Sequence, residues 1–343
     1  MYSIDQEEIE AVSNVLRSKK LFRYQGKNVE TECSKFENEF SQYLKTNHTV
    51  LVSSGTNALV AALFSLGIKS GDEVLVPAYT FFATVAAVIE IGATPVLVNI
   101  NENFEIDFTE AQKKLSSRTK AIIAVHMDGV SCDMNAYVEF KQKNNLLLIE
   151  DCAQSVGGEF NGKKLGSFGE AGCFSFNVDK IITCGEGGAV TFQSKNLYQR
   201  ALMFHDTCNQ FGPTLKDSYE IEPFVGKSMR VSEIQGAMIR IQLKKLDKII
   251  QNLKTKQIDL KDMLNLDYLK FNDECGSTIK ILLDDITLVK EESVKLQKLG
   301  LKAAPLMFRP GHNLNHWNKI LHFNKAEYLK TIEILSRTII IFI

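Results

Sequence analysis

One amine stands out first. Cys173–Phe176 is an apolar, strand-like run carrying a small hydroxyl, Ser175, followed by a short polar break, Asn177–Asp179, and then by Lys180. The glycine-rich stretch Cys184–Gly188 closes the segment before a second apolar run, Ala189–Phe192. Lys180 is the only cation between Lys164 and Lys195, which favours a poorly solvated place for it. There a lysine's pKa falls and its lone pair becomes available, the property a Schiff-base lysine needs. Most lysines are solvated, so an exposed loop lysine is the other reading of this segment taken alone.

Other short stretches offer matching chemistry. Ser53-Ser54-Gly55-Thr56 is a turn before a helical pattern, where outward-facing amides and hydroxyls suit a phosphate. The same small residues also simply start helices. Asp151 and Gln154 follow the most apolar strand pattern of the chain. A carboxylate at the mouth of a buried sheet needs a positive partner or a proton, and a pyridinium nitrogen would serve. The alternative is that Asp151 caps the next segment or pairs with a structural arginine. With the ring of Phe81 and the hydroxyl of Ser175, these pieces match the needs of pyridoxal 5'-phosphate: a phosphate cradle, a stacking face, an acid at the ring nitrogen and a lysine.

The elements that must carry them read as alternating strands and helices. Helical spacing of Ile9, Val12, Val15 and Leu16 predicts an opening helix. Strands are predicted at 49–52, 73–76, 95–100, 120–125 and 145–150, with a helix beginning at Thr80 and another over about 134–143. That alternation implies an α/β fold with a mostly parallel central sheet covered on both faces, where ligands gather at the carboxyl ends of the strands. The stretch His205 to Glu222 reads as a long loop. A long helix capped by Ser232 leads to a smaller C-terminal α/β domain, so the expected division is 1–235 and 236–343. The apolar run Ile339–Ile343 reads as a truncated strand.

Composition narrows the function classes. With 45% hydrophobic and 24% charged residues and a net charge of -1, the chain predicts no nucleic-acid and no membrane partner. Seven scattered cysteines and an acidic start without a leader pattern point to the reducing cytoplasm. His312, His316 and His322 cluster in sequence, but Pro310-Gly311 puts His312 in a turn and no carboxylate completes a ligand set, so no metal is expected. Cys184, near Lys180, is either reactive or a small packing residue.

In combination these stretches carry a resemblance. Ser53 to Leu59, Gly71 to Val74, Val76 to Phe81, Glu150 to Gln154 and the Lys180 segment with its Gly-Glu-Gly-Gly resemble, in the same order, the DegT/DnrJ/StrS family of sugar aminotransferases. The resemblance implies the fold type I architecture of pyridoxal-phosphate-dependent transferases, like aspartate aminotransferase. It puts Lys180 in the Schiff base, Asp151 at the pyridine nitrogen, Gln154 at the phenolic oxygen and Phe81 on the ring, with Gly55, Thr56 and Ser175 at the phosphate. It implies a homodimer with shared active sites, in which Ser228 stands where the family usually gives an asparagine to the partner's phosphate. The implied reaction moves an amino group, with glutamate as donor, to a keto or aldehydo sugar for polysaccharide or lipopolysaccharide synthesis. Leu21 to Tyr24, His126-Met127, Cys132 to Met134, Ile182 to Gly188 and His205-Asp206 resemble the branch acting on an 8-oxo form of the octulosonate Kdo, with nucleotide-linked sugars as the alternative. A sugar dehydratase of the same fold and an inactive relative are the rival readings. Lys180 argues against the dehydratase, where a histidine typically stands.

Overall fold

A computed structural model describes residues 2–25, 29–208, 221–264, 268–271, 273–312 and 314–343, and the side chains of 315 and 316 also lie outside that description. Seven strands form the main sheet: β1 (His48–Val52), β2 (Glu73–Pro77), β3 (Thr94–Val98), β4 (Thr119–Val125), β5 (Leu147–Asp151), β6 (Ala171–Ser175) and β7 (Gly188–Phe192). Their spatial order is β1-β7-β6-β5-β4-β2-β3. The run from β3 to β6 is parallel, and β7 is antiparallel to both of its neighbours. Strands such as β2 and β6 are buried at every position, as a sheet covered on both faces requires. The predicted strands are present, and β5 starts and ends later than its pattern suggested, so Asp151 is its last residue rather than the first beyond it.

Helices cover the sheet. α1 (Gln6–Ser18), α2 (Glu32–Leu44), α3 (Gly55–Ser65), α4 (Ala83–Glu90) and α5 (Met134–Asn144) precede α6 (Glu233–Leu264), whose first residues contain the expected domain boundary. α4 begins at Ala83 rather than Thr80, because the Thr80 hydroxyl bonds the Thr84 hydroxyl at 2.7 Å instead of capping. The expected opening helix is present as α1. Ile9 and Leu16 are each 53% exposed, and Val15 joins the core. What fastens α1 is polar: the buried Glu8 carboxylate accepts from Gln242 at 2.7 Å and from Lys245 at 2.8 Å on α6. Of the stretch read as a long loop, residues 209–220 lie outside the described residues. Among the described residues, no helix is long and apolar enough to cross a membrane.

A second, antiparallel sheet holds β8 (Thr278–Leu282), β9 (Lys302–Pro305) and β10 (Thr338–Phe342) in the order β8-β10-β9. The apolar run expected to be a broken strand is therefore its centre. Ile341 pairs with Ile279 on one side and Ala303 on the other, and Ile339, Ile340 and Ile341 are fully buried. Its apolar character follows from that position, since a central strand shows water neither edge. Replacing Ile340 by Ala should cost about 2–5 kcal/mol in a urea unfolding experiment, the usual range for a core truncation. Leu299, 65% exposed, should tolerate Ala within about 0.5 kcal/mol. Equal costs at the two positions would refute the central role of β10.

Candidate active site

The carboxyl ends of β4, β5 and β6 and the start of α3 face one cavity of about 370 Å³. Gly55, Thr56, Phe81, Asp151, Gln154, Ser175 and Lys180 all line it. Ser228 does not: it is exposed and pairs by a backbone bridge with Asp206. Its neighbour Met229 accepts the Ser53 N–H at 2.9 Å, so the strip bearing Ser228 runs beside the α3 turn.

The start of α3 is built for close approach. Ser54 caps the helix by accepting the Asn57 N–H at 3.1 Å, and the N–H groups of a first helical turn have no partner within the helix. A Cβ on Gly55 would lie 2.7 Å from Cβ of Ser175, and one on Gly188 would lie 2.4 Å from the Ser54 carbonyl. Both glycines are therefore demanded by space, and together they press the Ser175 hydroxyl against the helix terminus. Amides, hydroxyls and the positive helix end make an anion cradle there.

The acid and the amine are shifted in opposite directions by one cause. Asp151 accepts from the Thr84 hydroxyl at 2.7 Å and from the Ala153 N–H at 3.1 Å. Burial raises its pKa, with those hydrogen bonds and the charge of Lys180 opposing. Lys180 is half-buried, and burial lowers its pKa with Asp151 opposing. The solvated-loop reading of Lys180 is thus set aside. Gln154 accepts the Asp128 N–H through Oε1 at 3.1 Å, which turns its amide NH₂ away as a donor. Phe81 stands at the mouth, 46% exposed, its ring 5.1 Å from that of His312.

Several lining groups were not anticipated. Asp128 lies just beyond β4, at a strand end like the residues named from the sequence. Its carboxylate is buried, accepts from Tyr79 at 2.8 Å, and pairs with Lys280 at 3.2 Å and with Arg309. Burial pushes its pKa up, yet the two cations hold it well below the usual carboxylate range. Arg309 follows a single 3₁₀ turn and gave no local signal. Cys184 is buried with its thiol pushed up to about 12, so it is a packing residue that donates to the Glu186 carbonyl at 3.2 Å. Burial pulls His312 down to about 4, leaving it neutral, and the His316 side chain lies outside the described residues. Among the described residues the one His/Cys/acid group with ligand-like spacing is His126, Glu150 and Cys152. There the Glu150 oxygens already accept from Gly166, Phe168 and Gly169 at 2.6–2.8 Å.

This architecture, with its strand-end cavity, is that of solved aminotransferases. The aminotransferase from Psychrobacter cryohalolentis superposes with a TM-score of 0.84 at 28% identity, covering 99% of this chain and 92% of that one. The profile of the DegT/DnrJ/EryC1/StrS aminotransferase family matches residues 2–327, and the chain belongs to that family. Among curated relatives, GDP-perosamine synthase of Escherichia coli O157:H7 is 40% identical over 217 residues, 63% of this chain and 58% of that protein. A dTDP-3-amino-3,4,6-trideoxy-alpha-D-glucose transaminase of Streptomyces venezuelae is 38% identical over 218 residues, 63% of this chain and 56% of its own length. The chain thus matches less than two thirds of the length of these relatives.

The raised pKa of Asp151 has a sign that can be tested. A carboxyl raised in the folded state contributes stability at low pH that is lost as pH rises through its folded pKa. Asp151→Asn should therefore raise the melting temperature of the cofactor-free protein at pH 7, and the gain should shrink as pH falls below that pKa. A variant less stable than the parent at pH 7, by the same margin at every pH, would contradict the burial argument.

Proposed function

We propose that this chain binds pyridoxal 5'-phosphate in the cavity and moves an amino group, with glutamate as donor, to a keto sugar. The observation that carries the reading is the convergence of a buried acid, Asp151, and a half-buried amine, Lys180, beside an anion cradle too tight for a Cβ. These groups fit the cofactor: Gly55, Thr56 and Ser175 would hold its phosphate, Asp151 its ring nitrogen, Gln154 its phenolic oxygen through the outward NH₂, and Phe81 its face. Residues 1–235 would form the cofactor-binding unit and 236–343 the smaller one.

The bound cofactor would supply an electron sink for charge developing at the donor's α-carbon. Lys180 is suited to be its anchor and then the proton carrier, because burial favours the neutral amine that can accept a proton. Asp151 keeps a proton on the ring nitrogen, since a buried carboxylate is stabilised by a cation placed against it. Thr84 holds that carboxylate in place through a hydroxyl itself bonded to Thr80. A homodimer with shared sites is supported by Ser228, exposed and outside its own chain's cavity. The names of the relatives favour a nucleotide-linked acceptor, while the 8-oxo octulosonate reading rests on short motifs alone.

Absorption spectroscopy tests the proposal. The purified chain with added cofactor should show a violet-to-blue band that glutamate bleaches, and Lys180→Ala should lose the band. Turnover in that variant should fall by about 10²–10⁴-fold or more, the share a positioned proton carrier contributes. A protein that stays colourless with added cofactor would sink the reading, and a band indifferent to glutamate would sink the donor. Keto sugars with and without a nucleotide, offered to the glutamate-treated protein, would then identify the acceptor by return of the band.

A further inference from the structure

β1 is an edge strand of the main sheet, paired with β7 on one side, and it runs directly into the Ser53-Ser54-Gly55 turn. An edge strand leaves alternate residues with an N–H and a C=O that no neighbouring strand meets. At Leu51 charged side chains engage both of those groups. Glu37 on α2 accepts the Leu51 N–H through Oε1 at 2.7 Å, and Arg23, from the segment between α1 and α2, donates to the Leu51 carbonyl at 2.9 Å. The same Glu37 oxygen accepts a second hydrogen bond from Arg23 at 2.6 Å, which closes a ring of three contacts around one strand position. Two residues further on, the Ser53 N–H meets the Met229 carbonyl, so the outer edge of β1 is held up to the turn.

Arg23 is 4% exposed, and neither it nor Glu37 lines the cavity. A buried ion pair adds little net stability, because desolvation offsets the attraction, but its hydrogen bonds are directional and fix position. Position is what the following residues need. A Cβ on Gly188 would lie 2.4 Å from the Ser54 carbonyl, and one on Gly55 would lie 2.7 Å from Cβ of Ser175, so the turn is wedged against β6 and β7 without slack. A binding constellation has to be held to within about 0.5 Å, and a slip of β1 by that much either drives the turn into its neighbours or draws its amides away from Ser175.

Resting on the cofactor reading given above, we propose that Arg23 is a positioning residue for the anion cradle: with Glu37 it clasps the Leu51 peptide, sets where β1 delivers Ser54, Gly55 and Thr56, and so determines how tightly the site holds a phosphate. The guanidinium suits this task because its planar fork reaches the carbonyl with one nitrogen and the carboxylate with the other.

The test uses the full chain and three binding probes: pyridoxal 5'-phosphate, pyridoxal, which has the same ring and aldehyde without the phosphate, and inorganic phosphate on the cofactor-free protein. Arg23→Lys keeps the charge and replaces the fork by a single point donor. The two phosphate-bearing probes should bind about tenfold more weakly, the size of one charge-assisted hydrogen bond lost, while the dissociation constant for pyridoxal stays within about twofold of the parent. Glu37→Gln should show the same selective loss, because it still accepts the Leu51 N–H but no longer holds the guanidinium by charge. A role confined to stability would lower the melting temperature and move all three constants together or not at all. Equal losses for pyridoxal and its phosphate, unchanged phosphate binding, or a parent that binds no inorganic phosphate would each overturn the proposal. If neither variant folds, amide hydrogen exchange on the parent decides: Leu51 should be protected equally with and without phosphate, and a Leu51 amide that exchanges freely until phosphate binds would show that no clasp precedes the ligand. Failure of the parent to take up pyridoxal 5'-phosphate would instead refute the aminotransferase reading, and the constants for inorganic phosphate would still decide the role of Arg23.

Discussion

Desolvation at the carboxyl end of β5 is the constraint on which the site depends. A parallel sheet covered on both faces leaves its strand ends as the one place where polar side chains can reach a cavity without breaking the ladder. Asp151 ends β5 and so stands at the edge of the dry interior, where burial disfavours its charge. The same medium disfavours the charge on Lys180, which moves its pKa the opposite way. Each is thereby made readier for proton chemistry near neutral pH than either would be in water. The Thr80–Thr84 hydroxyl pair adds direction by holding one oxygen of Asp151. Burial tunes the pair, and hydrogen bonds aim it.

The second sheet contributes closure. β10 lies at its centre, and the chain then delivers Phe342 and Ile343 to the cavity lining. The Ile343 N–H bonds the Ser277 carbonyl at 3.0 Å, next to the hydroxyls that engage Asp128. One cavity wall is therefore apolar strand end and the neighbouring wall is ionic. An apolar strand end excludes water from the charged groups, which strengthens every interaction among them.

Features encoded by neighbours in sequence were legible in the sequence. Gly55, Ser175 and Gly188 belong to short runs whose spacing already announces a turn, a strand and a tight return, and the structure brings those runs together. Lys180 was visible through the absence of other cations around it. Features made by distant partners were not legible. Arg309 meets Asp128 across 181 positions, and neither residue's surroundings in sequence foretell the other. The exposure of Ile9 and Leu16 was not legible for a related reason: helical spacing reveals a helix, but it does not say which face the rest of the molecule covers. Ser228 was marked only by the resemblance, and its place outside its own chain's cavity follows from packing that a local pattern cannot express.

Glu150 and Asp151 show how far a single residue step matters. They are adjacent carboxylates on one strand, and strand alternation sends their side chains to opposite faces. Glu150 meets the loop before β6 and is held by the N–H groups of Gly166, Phe168 and Gly169, so its charge is fully bonded. The loop is shaped for that purpose: a Cβ on Gly169 would lie 2.4 Å from the Leu148 carbonyl, and Gly166 takes φ +86°. Asp151, on the cavity face, receives hydrogen bonds from the Thr84 hydroxyl and the Ala153 N–H. The first acid fixes where β6 begins, and β6 leads through Ser175 to Lys180. The second lines the cavity that Lys180 also lines, so two adjacent acids on one strand serve the packing of the sheet on one face and the wall of the cavity on the other.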